Sequence, residues 1–227
     1  MNDHQVGFRV GAPGPVVEAD TVEHLGAIET VYLSDAMNKF NAMDMRVRPV
    51  LPGSRLVGRT LTVRPAPGDN LAVYMALEVA RPGDVLVIES RGLTHVAQWG
   101  DLTSTLGRAV GLAGAVMDGA IRDREGIVRV GLPVFAAPEP VATGGSRRGP
   151  GEINVPVAVG GVAVCPGDVV VGDDNGVVVI PADQADDVLN RARSLADSDA
   201  DKMLTAATGI DSLGWLPEVL RAAGYQR

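Results

Sequence analysis

The chain has 227 residues, 46% of them hydrophobic, which is enough to bury a proper core in one large domain. Its formal net charge of -8 argues against a nucleic-acid backbone or an anionic membrane surface as partner, because both require clustered lysine and arginine. No apolar run approaches the roughly 20 residues of a membrane span, and residues 1–10 lack the apolar segment of an export signal.

The only cysteine is Cys165, which cannot form an internal disulfide and has no metal-finger spacing to other ligands. We therefore expect a reducing, cytoplasmic setting. Cys165 itself precedes Pro166, and a small half-buried hydrophobe is favoured there over a nucleophile.

The first part of the chain predicts an arm followed by two helices. Residues 1–16 are polar and then turn-rich, so they indicate an arm with little structure of its own. Apolar residues recur at helical spacing in residues 20–30, and a second helix is expected to begin near Ser34 with its side chain as the cap.

The next elements are a strand and a helix. Residues 55–63 alternate loosely and carry β-branched side chains, which favours a strand. Residues 70–79 then predict a helix with Leu71, Met75 and Val79 facing inward.

The middle of the chain alternates strands and helices, which implies a partly parallel sheet. Residues 85–88 and 113–117 are short apolar runs of the buried-strand type. Between them, Gly100 opens a helix to about Ala113 whose shared apolar face consists of Leu102, Leu106 and Val110. A short helix at 124–130 and a strand at 134–137 follow.

The second half predicts hairpins and then helices. Short β-branched runs are found at 155–159, 162–164, 169–171 and 177–180. Asn175-Gly176 is a strong hairpin-turn signal, and the neighbouring Asp173-Asp174 pair is interpreted as structural. Pro181 starts a long helix to about Ala207, whose inward positions are Ala185, Val188, Ala192 and Leu195. A last helix is expected at 216–223. We predict one domain, 1–227, with an arm at 1–16 and C-terminal helices in 182–227.

Two stretches carry candidate chemistry. The strand at 113–117 ends in a turn with Asp118, Arg122 and Asp123, where open α/β sheets collect ligands. Arg122 offers a fork of donors for a carboxylate, and Asp123 a hard oxygen for Mg²⁺ or Mn²⁺. A surface ion pair in a strand-end turn is the structural alternative.

The second stretch is the helix start Gly100-Asp101-Leu102-Thr103. Free backbone N–H groups and the helix dipole favour a carboxylate or phosphate there. A glycine loop with Asp101 as a capping residue is the alternative reading. Both stretches are expected at the same edge of one parallel unit.

Several motifs in order resemble the RraA-like family, which contains class II 4-hydroxy-4-methyl-2-oxoglutarate aldolases and regulators of ribonuclease E activity. They are Gly100-Asp101-Leu102-Thr103, residues 114–123, residues 131–135 and residues 166–177. The resemblance covers roughly residues 30–181. It implies an α/β fold, a swivelling mixed β-sheet sandwich with flanking helices, and a homotrimer or hexamer with sites between subunits.

The resemblance also implies residue roles. The backbone of Gly100, Asp101, Leu102 and Thr103 would cradle a pyruvate-like group, and Arg122 would bind its carboxylate and enolate oxygen. Asp123 would hold a divalent cation, Mg²⁺ or Mn²⁺, and Asp101 would orient water in the metal shell. The implied activity is retro-aldol cleavage of a 4-hydroxy-2-oxo acid to pyruvate and a second carbonyl compound, with oxaloacetate decarboxylation as a side activity.

One departure concerns the residue expected from a neighbouring subunit. Family aldolases can receive a carboxylate that follows a C-terminal glycine, whereas Gly209 here precedes Ile210; Asp211 or Glu218 could substitute.

The alternative function is a non-catalytic regulator of the ribonuclease E regulator type, a branch that tends to lose the metal-binding aspartate. A dinucleotide site is disfavoured because the glycines at 107, 111 and 114 lack the required spacing. His95 could reach the pocket from its loop.

Overall fold

The structure is a computed structural model that describes residues 5–137, 139–209 and 213–225. Its helices are α1 (Ala19–Ala27), α2 (Thr30–Ala36), α3 (Leu71–Val79), α4 (Asp101–Ala109), α5 (Arg124–Val130), α6 (Ala185–Ala206) and α7 (Leu216–Ala222). Its strands are β1 (Arg48–Pro49), β2 (Leu56–Pro65), β3 (Asp84–Ile88), β4 (Gly114–Met117), β5 (Val134–Ala136), β6 (Gly151–Ile153), β7 (Val157–Val159), β8 (Val162–Val164), β9 (Val169–Asp173) and β10 (Gly176–Ile180).

One curved mixed sheet organises the chain, in the order β1-β5-β4-β3-β2-β9-β10, with β6 added to β2. Strands β2, β3, β4 and β5 are parallel, whereas β9, β10, β1 and β6 join antiparallel. The two ends of the sheet approach each other, because Arg48 on β1 donates to the carbonyl oxygens of Asp174 and Asn175 at 3.1 and 2.8 Å. The predicted α/β fold with a mixed sheet and flanking helices is confirmed.

Strand alternation sends side chains to two separate cores. On β3, Leu86 and Ile88 share a core with residues of α3 and α5, whereas Val85 and Val87 face a core filled by the β7–β8 hairpin. All five residues of β3 are buried, which explains why the last four, residues 85–88, form a continuous apolar run. A third core lies between β9–β10 and the helices α1, α2 and α6.

The arm is confirmed as lacking helix within its described residues, but it is held against the domain. Gly11 donates its N–H to the Ile153 carbonyl at 2.8 Å, and the Ile153 N–H donates to Arg9 at 3.0 Å. Buried Glu152 forms ion pairs with Arg9 and Arg64. The arm therefore runs along the edge of β6, a strand that the sequence reading missed.

Several helix predictions were wrong in face or boundary. The second helix begins at Thr30, four residues before Ser34. On α3 the side chains of Leu71, Met75 and Val79 are exposed, and the smaller Ala72, Val73 and Ala76 face the sheet. This helix is apolar nearly all round, so its periodicity does not define one face. Leu102 and Leu106 on α4 are also exposed, as is Leu195 on α6.

Cys165 is exposed, not half-buried. Burial of the sulfur atom nevertheless raises the pKa of its thiol, and the nearby Asp168 charge adds to the shift. A thiol that stays protonated at neutral pH is a poor nucleophile, in agreement with the structural interpretation. Among the described residues, no helix is both long enough and apolar enough to cross a membrane.

The start of α2 is capped from a distant strand. Asp173, at the end of β9, accepts the Thr30 N–H at 2.9 Å and the Thr30 hydroxyl at 2.7 Å, and it is buried. Burial by itself would raise the pKa of Asp173, but the hydrogen bonds from Thr30 and Asn175 outweigh it and lower the pKa. The structural interpretation of Asp173 is thus confirmed.

We predict that Asp173→Asn lowers the free energy of unfolding by about 1–3 kcal/mol at pH 7, because a buried charge-assisted cap is lost. Since the pKa of Asp173 is lowered on folding, its contribution is present above its unfolded value of about 3.9 and is lost as the pH falls through the folded value. Urea denaturation at neutral and acid pH measures this. Asp174→Asn is the matched control: Asp174 is exposed and accepts one N–H from Gly53. Equal losses in both variants would contradict the assignment.

Candidate active site

A small cavity of about 40 Å³ lies where the loops after the four parallel strands meet. It opens beside a wider groove of about 590 Å³ lined by Arg122 and by residues 144–148. The cavity is lined by Asn70, Tyr74, Ala97, Trp99, Gly100, Asp101, Leu102, Thr103, Arg122, Asp123, Gly144, Gly145 and Arg147. Every predicted site residue, Gly100 to Thr103, Arg122 and Asp123, is therefore in one place; the role of each stays a prediction.

The first wall is the start of α4. The Thr103 hydroxyl accepts the Gly100 N–H at 2.8 Å and donates to the Gly100 carbonyl at 2.9 Å, which fixes the first turn. Thr103 is buried, and the indole N–H of Trp99 donates to the Ser104 hydroxyl at 2.7 Å just below it. The helix start is thus held rigidly, with its positive dipole end at the cavity.

Position 100 requires a glycine because neighbouring side chains approach it closely, and not because of its backbone angles. Its φ of -159° is ordinary extended backbone. A Cβ atom at this position would lie 2.8 Å from the Asp123 Oδ2 atom and 3.3 Å from the Arg122 Cγ atom. The absence of a side chain therefore lets the Arg122–Asp123 turn approach the helix start.

Arg122 and Asp123 form an ion pair, with 3.2 Å between Nε and Oδ2. Their side chains are 43% and 39% exposed, so the pair is worth little to folding. The Arg122 N–H donates to the Trp99 carbonyl at 3.1 Å, which ties this turn to the segment before α4. The guanidinium is backed by Gly144, where an added Cβ would lie 2.4 Å from Nη1.

The backbone of Asp123 is unusual. It lies in the left-handed region, with φ 54° and ψ 40°, a conformation that costs a residue other than glycine about 1–3 kcal/mol. Asp123 precedes α5, yet its side chain makes no capping hydrogen bond to that helix. The carboxylate is directed toward Gly100 and Arg122 instead. Capping of α5 therefore does not account for the backbone conformation of Asp123.

Asp101 is partly buried at the first position of α4. Its Oδ1 atom accepts the Leu102 N–H at 2.7 Å. The side chain packs against α5, since a Cβ on Gly126 would lie 2.9 Å from the Asp101 Oδ2 atom. Asp101 is therefore fixed between the two helices whose starts form the site, and one of its oxygens is already engaged.

Sequence reasoning missed the lining residues outside these two stretches. Asn70 and Tyr74 follow β2, whereas Gly144, Gly145 and Arg147 follow β5. The Arg147 guanidinium lies 5.3 Å from the centroid of the Tyr74 ring, a cation–π contact. The basic pair Arg147-Arg148 in a glycine-rich stretch was the available signal, but nothing local connects that stretch to α3.

Other candidates lie elsewhere. His95 is exposed and does not line the cavity. Asp118 accepts the Ser90 N–H at 2.8 Å and so joins the ends of β4 and β3. Glu218 lies on α7, which buries none of its residues, and Asp211 lies outside the described residues.

The carboxylates in the cavity fit a particular type of cation. In the described part of the chain, no cluster of three or more His, Cys, Asp or Glu side chains is placed to hold an ion. The lining supplies only Asp123 and Asp101, and Asp101 is partly engaged. Such a set does not suit a dedicated protein cage. It fits Mg²⁺ or Mn²⁺, which keep several waters and bind through one or two carboxylates together with substrate oxygens.

The chain matches the family model described as RraA-like, Aldolase/RraA, over residues 30–179. It belongs to the RraA-like family. A protein of Halalkalibacterium halodurans named "Putative 4-hydroxy-4-methyl-2-oxoglutarate aldolase" is 39% identical over 184 residues, which cover 81% of this chain and 87% of that relative. The resemblance seen in the sequence motifs is thereby confirmed.

Solved structures agree with the family assignment. An uncharacterized protein from Pseudomonas syringae pv. tomato superposes with a TM-score of 0.78 at 26% identity, covering 88% of this chain and 93% of that one. RraAS2 of Streptomyces coelicolor, described as an unusual member of the RNase ES inhibitor RraA protein family, gives a TM-score of 0.74 at 26% identity, covering 84% and 99%. Proteins similar to this chain are thus named both as a putative aldolase and as a member of an RNase inhibitor family.

Proposed function

We propose that this protein is a divalent-metal-dependent lyase that cleaves a 4-hydroxy-2-oxo acid of the 4-hydroxy-4-methyl-2-oxoglutarate type, with oxaloacetate decarboxylation as a side activity. The observation that carries the proposal is the joint placement of Arg122 and Asp123 at the start of α4. The name of the 39% identical relative supports an aldolase. A non-catalytic regulator is the second candidate, favoured by the likeness to RraAS2.

The residues present suit a planar 2-oxo carboxylate. The positive dipole end of α4 favours its negative charge. The Arg122 fork can bind the carboxylate and lie close to the oxygen that becomes an enolate. A divalent cation held through Asp123, and through water near Asp101, would withdraw electrons from the 2-oxo group as a Lewis acid.

The reaction then needs one proton removed and one returned. Loss of the proton from the 4-hydroxyl lets the C3–C4 bond break, which releases the second carbonyl compound and leaves the enolate of pyruvate. Arg122 stabilises the charge that develops on the enolate oxygen. Protonation at C3 gives pyruvate. In oxaloacetate the same bond breaks with loss of CO₂. The acid and base groups are assigned to a neighbouring subunit, with Glu218 and Asp211 as candidates.

Pyruvate release from a panel of 4-hydroxy-2-oxo acids and oxaloacetate tests the function. We expect release with Mg²⁺ or Mn²⁺ and loss of activity with EDTA. Borohydride added during turnover should not inactivate the enzyme, because no imine with Lys39 or Lys202 is involved. Full activity after exhaustive chelation would rule out the proposed chemistry, and a fully folded, metal-loaded protein inactive on the whole panel would favour the regulator.

Substitutions at Arg122 and Asp123 should have different effects on the kinetic constants. Arg122→Lys keeps the charge but loses the fork, so kcat and KM should both worsen, by about 2–4 kcal/mol of transition-state stabilisation. Asp123→Asn removes the charge that holds the cation, so activity should fall steeply and return only in part at high Mg²⁺.

The matched control is the exposed Arg46–Asp44 pair, 3.0 Å apart and outside the cavity lining. Arg46→Lys and Asp44→Asn should leave turnover unchanged. If the Arg122–Asp123 pair is purely structural, its loss should lower the melting temperature and leave turnover near normal. The free energy of unfolding would then fall by at most about 1 kcal/mol. Normal turnover in Arg122→Lys would show that residues 122 and 123 form only a structural ion pair.

We further propose that the protein assembles as a homotrimer, or as a hexamer built from two trimers, with sites between subunits. An apolar patch supports this proposal: Leu71, Met75 and Val79 on α3, with Leu102 and Leu106 on α4, are each 37–52% exposed. Leu102 also lines the cavity. A second copy seated on this patch would therefore reach the rim of the site.

Met75→Glu should shift the protein toward monomer, because it places a charge in the patch, and activity should fall with assembly. Light scattering in dilute solution measures this together with pyruvate release. The matched control is Val31→Glu on α2, where the side chain is similarly exposed, at 41% against 46% for Met75. A wild-type monomer that retains activity would contradict the proposal.

A further inference from the structure

A glycine-rich loop, residues 143–149, forms one side of the candidate site and is held by a carboxylate on another segment. This carboxylate is Asp69, which is only 3% exposed. It accepts the Ser146 hydroxyl at 2.5 Å, the Arg148 N–H at 2.7 Å and the Gly149 N–H at 3.2 Å. It also accepts the Leu71 N–H at 2.8 Å, at the start of α3. One buried group thus joins the loop to the helix that carries Tyr74.

The bonds to Asp69 surround Arg147. The earlier part of the loop is held by backbone bonds: Gly145 N–H donates to the Ala97 carbonyl at 2.8 Å, and Asn70 N–H donates to the Ser146 carbonyl at 2.8 Å. The Ser146 N–H likewise donates to the Gly68 carbonyl at 2.9 Å. After Ser146, however, the N–H groups of Arg148 and Gly149 both donate to the Asp69 side chain. The position of Arg147 over Tyr74 therefore depends on Asp69.

The carboxylate form is needed for this arrangement. Burial alone would raise the pKa of Asp69, but the hydrogen bonds from Arg148, Ser146, Leu71 and Gly149 outweigh it and lower the pKa. An ionised carboxylate can accept from all of these donors through its two oxygens. An asparagine has one acceptor oxygen, and its NH₂ group would face backbone N–H donors, so buried donors would be left unpaired.

We propose that Asp69 is a positioning residue for the candidate site: it fixes residues 146–149, and through them the Arg147 side of the cavity. Arg122 and Asp123 are held by other elements, so Asp69 acts on the shape of the binding site and not on the reacting bond. Loosening the loop should weaken substrate binding more than turnover. The kinetic part of this inference rests on the proposed lyase function, whereas the structural part does not.

Limited trypsin digestion of the native protein tests the structural part. Cleavage after Arg147 or Arg148 should be about tenfold faster in Asp69→Asn than in wild type, which corresponds to loss of one buried hydrogen-bonding group. Asp168→Asn is the matched control, since Asp168 is also a buried carboxylate that accepts two backbone N–H groups, at Cys165 and Ala182. In Asp168→Asn, trypsin should cleave after Arg147 or Arg148 at the wild-type rate. Ser146→Ala removes a single donor and should give a smaller effect of the same sign if Asp69→Asn does not fold.

Kinetics tests the positioning part. In the pyruvate-release assay, Asp69→Asn should raise KM about tenfold and change kcat by less than about threefold. Unchanged cleavage in the loop overturns the inference, and so does faster cleavage with an unchanged KM. If wild type releases no pyruvate from any substrate, the lyase proposal fails, and the digestion still decides whether Asp69 holds the loop.

Discussion

The site depends on the four parallel strands β2 to β5, because parallel strands deliver their following loops to one edge of the sheet. These loops are then joined to each other. Arg122 N–H donates to Trp99, Val141 N–H donates to Ile121 at 2.8 Å, and Ala97 N–H donates to Thr143 at 2.8 Å. The pocket is therefore made of irregular backbone held almost as tightly as a sheet, which suits the fixed geometry that electrostatic catalysis requires.

The charges in this pocket contribute little to folding. Arg122 and Asp123 keep roughly 40% of their side chains exposed, and Asp123 adopts a costly backbone conformation without capping α5. An isolated chain leaves such a site open to water, which weakens its electrostatic interactions. The apolar patch of α3 and α4 beside the cavity offers the surface by which a second copy would enclose it.

Lyase and regulator share one fold, so the fold does not choose between them. The choice depends on particular side chains. The lyase proposed above would use Asp123, whose carboxylate faces Arg122 and the start of α4. The buried Asp69 carboxylate accepts hydrogen bonds from the loop at 143–149, which carries Arg147 at the side of the cavity.

The sequence by itself determined the parts of this protein that local signals control. The apolar runs at 85–88 and 114–117, bounded by glycine and polar residues, specify buried strands, and the motifs that follow them contain Gly100 to Thr103, Arg122 and Asp123. Strand ends and helix starts are local features, and parallel strands place them at one edge without further information. The family resemblance was carried by these same motifs.

The tertiary structure decided whatever depends on partners distant in the chain. Helix α3 is apolar nearly all round, so only packing against β2 and β6 shows that Met75 faces outward. The cap of α2 comes from Asp173, 143 residues away, where the sequence suggested Ser34. Asp69 and Ser146 are 77 residues apart, and each looks like an ordinary turn residue by itself. Hydrogen bonds between such segments leave no periodicity in the sequence, because their spacing is set by the sheet that brings the segments together.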